Sequence, residues 1–341
     1  MKRLLLITIV FLTACNATNA TAQPKTGLKP DETVLLYAEK LSGCIDPVIA
    51  EKVTAAGFTM AEDNGLTGEK IIPGNGFISN IGANARFDLY FPEKPNGEMV
   101  IVCPGGGYGF VSSYSEGVYV ADWMLAKGIT VAVVKYRLPN GHWEIPLTDV
   151  QNTFRYCRAN AEKWGIDQIG IMGFSAGGHL AGCAATMYDD AETRPDFAVL
   201  IYPVVTFEES ITHQGTKDNL IGKESDFTSR DGRTWEEWDK ARKTYKALVR
   251  RYSVEKQAAP DNPPMFIALS SDDSTVPPEN STRLYNSLTD KGVSVEMHIY
   301  HKGEHGWGFN TENITGKGND PLGFAREEFS NSLQRWMESL K

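Results

Sequence analysis

The sequence predicts an α/β fold, with a mostly parallel central sheet and helices on both faces. Three observations predict it. After Pro30, apolar runs of strand length alternate with segments of helical period, the signature of βαβ units. Two of those runs end directly in glycine-rich turns. No internal repeat or shift of composition divides the chain beyond Pro30.

The first residues read as a targeting segment. Lys2 and Arg3 precede the apolar stretch Leu4–Leu12, which is too short to span a bilayer as a stable helix. It ends in Leu12-Thr13-Ala14-Cys15, which resembles a bacterial lipobox, where the signal is cut before a lipid-modified cysteine. The expectation is a signal peptide over 1–14 and a lipid on Cys15. The protein would then be an exported lipoprotein of the periplasm or cell surface, held to the membrane through that lipid only. Residues 15–30 are small, polar and broken by proline, as a tether should be, with a reach on the order of 20 Å. The folded domain is expected over 31–341.

Strands are expected at Ala85–Phe91, Met99–Cys103, Ile129–Lys135, Ile169–Met172, Ala198–Tyr202, Met265–Leu269 and Val293–Tyr300. Between them lie helical patterns. In Val150–Trp164, the side chains Val150, Phe154, Cys157, Ala161 and Trp164 share one face. Glu116–Lys127 and Pro278–Lys291 behave alike, each stopped by a glycine, Gly128 or Gly292. An amphipathic helix, Phe324–Leu340, closes the chain.

One stretch departs from this alternation. Residues 206–259 contain no good strand but much charge and many rings, as a lid or cap inserted between sheet strands would. Within it, Thr234-Trp235-Glu236-Glu237 has the form of a capping box. Trp235, Trp238, Tyr245 and Leu248 then fall on one helical face, which suits packing better than ligand binding.

Composition narrows the function. Apolar residues make up 41% and charged residues 23%, which is globular. The net charge of -9, with no basic run after residue 3, argues against nucleic acid as a partner. Cys103, Cys157 and Cys183 lie in apolar periodic segments and read as buried free thiols. Cys44 is left open.

The chemistry-bearing residues stand at strand ends. Gly173-Phe174-Ser175-Ala176-Gly177 follows one expected strand and opens a helical run, the setting of a nucleophile elbow. Such a turn exposes the middle side chain and aims the helix N-terminal amides at it. Upstream, Cys103-Pro104-Gly105-Gly106-Gly107-Tyr108 follows another strand. Amides of Gly106 and Gly107, with that of Ala176, would form an oxyanion hole. Neither a P-loop nor a dinucleotide-binding pattern is in register there.

A serine needs a base, and the base needs an orienting acid. His305 sits in Gly303-Glu304-His305-Gly306-Trp307-Gly308, after the last strand and flanked by glycines. His301 is the near competitor. His298, His301 and His305 make a poor metal set, because strand residues alternate faces and no fourth ligand is evident. His179 falls in the helix after Ser175, and His142 and His213 read as ordinary loop residues. The acid is Asp272 or Asp273, which follow Met265–Leu269. The order Ser, Asp, His is that of the α/β hydrolases. No metal or organic cofactor is called for.

With these motifs in place, the chain from about Ile78 onward resembles acetylxylan-esterase-like α/β hydrolases of polysaccharide-degrading bacteria. The matching pieces are Pro104 to Tyr108, Ile171 to Leu180, Asp272-Asp273 with Val276-Pro277, and Gly303 to Gly306. Many relatives carry histidine where Pro104 stands, and the acetylxylan-like subset shows proline. The resemblance implies the α/β-hydrolase fold and a triad of Ser175, His305 and Asp273. It also implies a serine carboxylesterase that removes acetyl groups from xylan or xylo-oligosaccharides. Tyr108, Trp235, Trp238 and Trp307 are the candidate substrate contacts. A serine peptidase of the same fold and a silent carbohydrate-binding surface protein are the alternatives.

Overall fold

The computed structural model describes residues 27–37, 63–72, 74–309 and 323–341. Cys15, Cys44, the signal peptide and most of the tether lie outside the described residues. In chain order the elements are β1 (Glu32–Leu35), β2 (Lys70–Ile72), β3 (Phe77–Ser79), β4 (Arg86–Tyr90), β5 (Glu98–Cys103) and β6 (Val111–Ser112). A π-helical turn, Tyr114–Val118, leads into α1 (Tyr119–Leu125), then β7 (Thr130–Lys135), α2 (Ile145–Trp164), β8 (Gln168–Phe174) and α3 (Ala176–Thr186). After β9 (Ala198–Ile201) come α4 (Gln214–Ile221), α5 (Glu224–Thr228), α6 (Trp235–Arg251) and a 3₁₀ turn, Val254–Gln257. The chain then forms β10 (Met265–Ser270), α7 (Glu279–Thr289), β11 (Val295–Tyr300) and α8 (Gly323–Glu338).

Eight strands form one sheet in the order β1-β4-β7-β5-β8-β9-β10-β11. The pairs β1–β4 and β4–β7 are antiparallel, and every pairing from β7 to β11 is parallel. Every residue of β5, β7 and β10 is buried, as parallel strands covered by helices on both faces require. This is the α/β-hydrolase fold. The small sheet β2-β3-β6 lies apart from it, and the sequence pattern did not announce it.

The strand order places the site. From β5 the chain crosses to β7 on one side, whereas from β8 it crosses to β9 on the other. The β5/β8 boundary is therefore a topological switch point, where loops part and leave a crevice beyond the strands' carboxyl ends. Both glycine-rich turns open there, because Cys103 pairs with Gly173 in the register of the two strands.

Candidate active site

Ser175 stands between β8 and α3 with φ 53° and ψ -119°, a strained conformation for a residue with a side chain. Close packing holds it there. A Cβ on Gly173 would come within 2.1 Å of the Gly177 carbonyl, and one on Gly177 within 2.1 Å of the Cys103 carbonyl. The turn thus demands glycine on both sides. The Ser175 N–H donates to the Ile201 carbonyl at 3.0 Å, which ties the elbow to β9.

His305 lies on the loop after β11. Its Nε2 is 2.8 Å from the Ser175 hydroxyl, and its Nδ1 is 2.7 Å from Asp273 Oδ2. A carboxylate only accepts, so Nδ1 carries the hydrogen and Nε2 offers its lone pair to the serine. The two neighbouring acids do different work. Asp273 orients the imidazole while its other oxygen accepts from the N–H groups of Thr275 and Val276, at 3.0 and 2.8 Å. Asp272 accepts from the N–H groups of Gly303 and Glu304, both at 2.9 Å, and so shapes the loop that carries His305.

The loop after β5 presents amides to the same place. The Gly105 carbonyl accepts from Ser112, and the Gly106 carbonyl from Gly109 and Phe110. Each trans peptide then turns the following N–H, of Gly106 and Gly107, the other way. Among the described residues neither N–H has an acceptor. Ala176 is the first residue of α3, so its N–H has no helical partner either.

Beneath this loop lies a group the sequence reading missed. Glu116, in the π-helical turn, is 6% exposed. It accepts from the Gly105 N–H and from the Tyr202 hydroxyl, both at 2.8 Å. The same hydroxyl accepts from the Gly308 N–H at 3.0 Å, and the Tyr202 ring lies 4.7 Å from the His305 ring. Burial raises the Glu116 carboxyl pKa above its ordinary value, and the two hydrogen bonds oppose that shift. Glu116 thereby joins the glycine loop to the His305 loop. The sequence reading set it at the start of a helix, where an acid is unremarked.

Other candidates fall elsewhere. Tyr108 and Trp307 are 2% and 4% exposed, and both are corrected from substrate contacts to packing residues. The Tyr108 hydroxyl donates to His179, and Trp307 Nε1 donates to Ser270. Trp238 is half-buried and donates to the Thr228 carbonyl, and Trp235 stacks beside it, 63% exposed, at 5.0 Å between rings. His179 is buried and donates from Nε2 to the Tyr252 carbonyl at 2.7 Å, so it is no base for Ser175. His298 lies in β11 and pairs with Glu296, away from the serine. Cys103, Cys157 and Cys183 are buried free thiols, as expected. Among the described residues no cluster of metal-ligating side chains is present, and no helix is long and apolar enough to cross a membrane.

The sequence profile of the BD-FAE family matches residues 87–288, more than half of the chain. The chain belongs to the BD-FAE family. This BD-FAE protein is similar to an acetylxylan esterase of Xylanibacter ruminicola, 36% identical over 233 residues. That match covers 67% of this chain and 44% of the relative. It is also similar to endo-1,4-beta-xylanase B of Butyrivibrio fibrisolvens, 32% identical over 247 residues, covering 68% of this chain and 35% of the relative. The chain thus spans less than half the length of these curated relatives. Among solved structures, an acetyl ester-xyloside bifunctional hydrolase from Caldicellulosiruptor lactoaceticus superimposes with a TM-score of 0.59 at 31% identity. The match covers 75% of this BD-FAE chain and 88% of the other. A carboxylesterase from Lactobacillus plantarum shares the fold at 19% identity and a TM-score of 0.57, covering 82% and 98% of the two chains.

Proposed function

We propose that the protein is a serine esterase that removes acetyl groups from xylan or xylo-oligosaccharides. The observation that carries this reading is the unbroken hydrogen-bonded chain Asp273–His305–Ser175, beside a glycine loop whose Gly106 and Gly107 amides have no acceptor among the described residues. In the first step Ser175 Oγ attacks the ester carbonyl carbon while its proton passes to His305 Nε2. The amides of Gly106, Gly107 and Ala176 hold the oxyanion, whose charge appears only as the carbonyl becomes tetrahedral. The C–O bond to the sugar then breaks, and His305 returns the proton to the leaving alkoxide. Water, deprotonated by the same histidine, releases acetate from the acyl-serine.

The likeness to an acetylxylan esterase and to an acetyl ester-xyloside hydrolase supports acetylated xylan as the substrate class. The segment Leu12-Thr13-Ala14-Cys15 supports export and lipid attachment at Cys15. The test of function is a panel of acetylated xylo-oligosaccharides and aminoacyl chromogens. Release of acetate from the first is the expected result, and cleavage of the second alone would replace esterase with peptidase. For the anchor, a fatty-acid label should enter the wild-type protein and not Cys15→Ala.

A further inference from the structure

His213 is the residue before α4 and caps that helix in place of the usual Ser, Thr, Asp or Asn. Its Nδ1 accepts from the Thr216 N–H at 3.2 Å and lies 2.8 Å from the Thr216 hydroxyl. With Nδ1 turned to Thr216 as an acceptor, the hydrogen of the neutral ring sits on Nε2. Among the described residues, nothing accepts from Nε2. The ring is half-buried beside the glycine loop, where a Cβ on Gly107 would meet His213 Cε1 at 3.7 Å. From the same helix Asn219 donates to the Gly107 carbonyl at 2.8 Å, so α4 is seated against the loop at two points. The imidazole is also near enough to His305 and Asp273 for both to act on its ionisation. Burial, then the positive form of His305, moves His213 below the ordinary histidine range, which keeps it neutral near pH 7.

We infer that His213 is a substrate-binding residue whose Nε2–H donates to a hydroxyl or ring oxygen of the sugar that bears the ester. The inference rests on the reading of Ser175 as the nucleophile. An acetyl methyl accepts no hydrogen bond, so beyond the ester oxygens only the alcohol portion can use a free N–H beside the cleft. A sugar supplies several such acceptors, whereas the unsubstituted ring of phenyl acetate supplies none.

The test compares acetylated xylo-oligosaccharides with phenyl acetate in the full-length protein and in His213→Asn and His213→Ala. Asparagine keeps the cap on Thr216 but is too short to reach with a donor, and alanine removes both functions. In His213→Asn, kcat/KM on the oligosaccharide should fall about tenfold further than on the aryl ester, mainly through KM. The thermal midpoint should hold in His213→Asn and drop in His213→Ala. Equal losses on the two substrates would assign the N–H to the oxyanion instead, and no loss on either substrate in His213→Asn would leave His213 as a cap alone. Either outcome overturns the inference. Failure of the esterase reading shows separately, as absence of turnover in the wild type or its persistence in Ser175→Ala.

Discussion

The strand-end loops and the helical segment between β9 and β10 are held by different forces. Around Ser175 buried polar side chains tie separate loops together: Glu116 bonds Gly105 and Tyr202, Tyr202 also bonds Gly308, and Asp273 bonds His305 as well as its own turn. In α6, by contrast, only Tyr245 and Leu248 are buried. That helix depends on its own capping box at Thr234, an exposed Asp239–Lys243 pair, and Arg230 lying 5.2 Å over both Trp235 and Trp238. Buried networks couple their members, while exposed local contacts act nearly alone. The lesson is that substitutions in the first region should spread, and those in the second should stay local.

The largest effect expected belongs to the hydrogen-bonded chain. Ser175→Ala should lower kcat on the order of a millionfold, because units of this kind fail together. Asp273→Asn should lower it about 10⁴-fold by leaving the imidazole in the wrong tautomer. Circular dichroism of both variants should match the wild type. Near-normal turnover in Ser175→Ala would remove the proposed mechanism.

How much of this was legible depended on whether a residue's role is local. The elbow was readable because strand, glycines, serine and helix are contiguous, and the expected Met99–Cys103 and Ile169–Met172 lie within the observed β5 and β8. The residue pattern alone left Asp272 and Asp273 open, since both sit on one turn; the resemblance implied Asp273, and Asp273 is the carboxylate that reaches His305. Glu116 was hidden because its partners, Gly105, Tyr202 and through Tyr202 the His305 loop, meet it only in three dimensions. His213 escaped because histidine is an uncommon helix cap. Tyr108 and Trp307 misled for the opposite reason: an aromatic ring beside a motif does not say whether it faces the cleft or the core.

A pH effect on stability separates the buried network from the surface. His179, in α3, is wholly enclosed, and burial brings its pKa down to about 4. The unfolded chain takes that proton near 6.5. Between these values the unfolded state binds more protons, so stability falls as pH falls, by about 2 kcal/mol at pH 5. His179→Gln keeps a donor for the Tyr252 carbonyl and an acceptor for the Tyr108 hydroxyl but does not titrate. Guanidinium denaturation at pH 7 and pH 5 should show this extra loss in the wild type only. An equal loss in both proteins would place the acid sensitivity outside His179.

Glu116→Gln probes whether the two loops are coupled. Glutamine can accept one of the two hydrogen bonds but not both, so either the Gly105 amide or the Tyr202 hydroxyl loses its acceptor. The oxyanion interaction exists only in the transition state, so kcat should fall about tenfold with KM little changed. Tyr202→Phe should do likewise, and the double variant should lose less than the product of the two. Additive losses would mean that Glu116 and Tyr202 act independently.

The smallest effect expected lies in α6. The Thr234 hydroxyl accepts from the Glu237 N–H at 3.3 Å, and Glu237 accepts in return from the Thr234 N–H at 2.8 Å. Thr234→Ala removes one arm of that box, and a lost cap of this type costs about 1 kcal/mol. The site is exposed and far in sequence from the elbow, so the loss should appear as a fall of about 2 °C in thermal midpoint. Turnover of para-nitrophenyl acetate should stay within twofold, because α6 contributes neither a member of the triad nor an amide of the glycine loop. Helix α5 packs on α6, and α4, which carries the His213 contact, touches α6 directly, so fraying could still travel. Hydrogen exchange would register that directly: faster exchange should be confined to α6 and the adjoining α5. Faster exchange in α4 together with lower turnover would show that the segment is wired to the site after all, and the contrast between the two regions would fail.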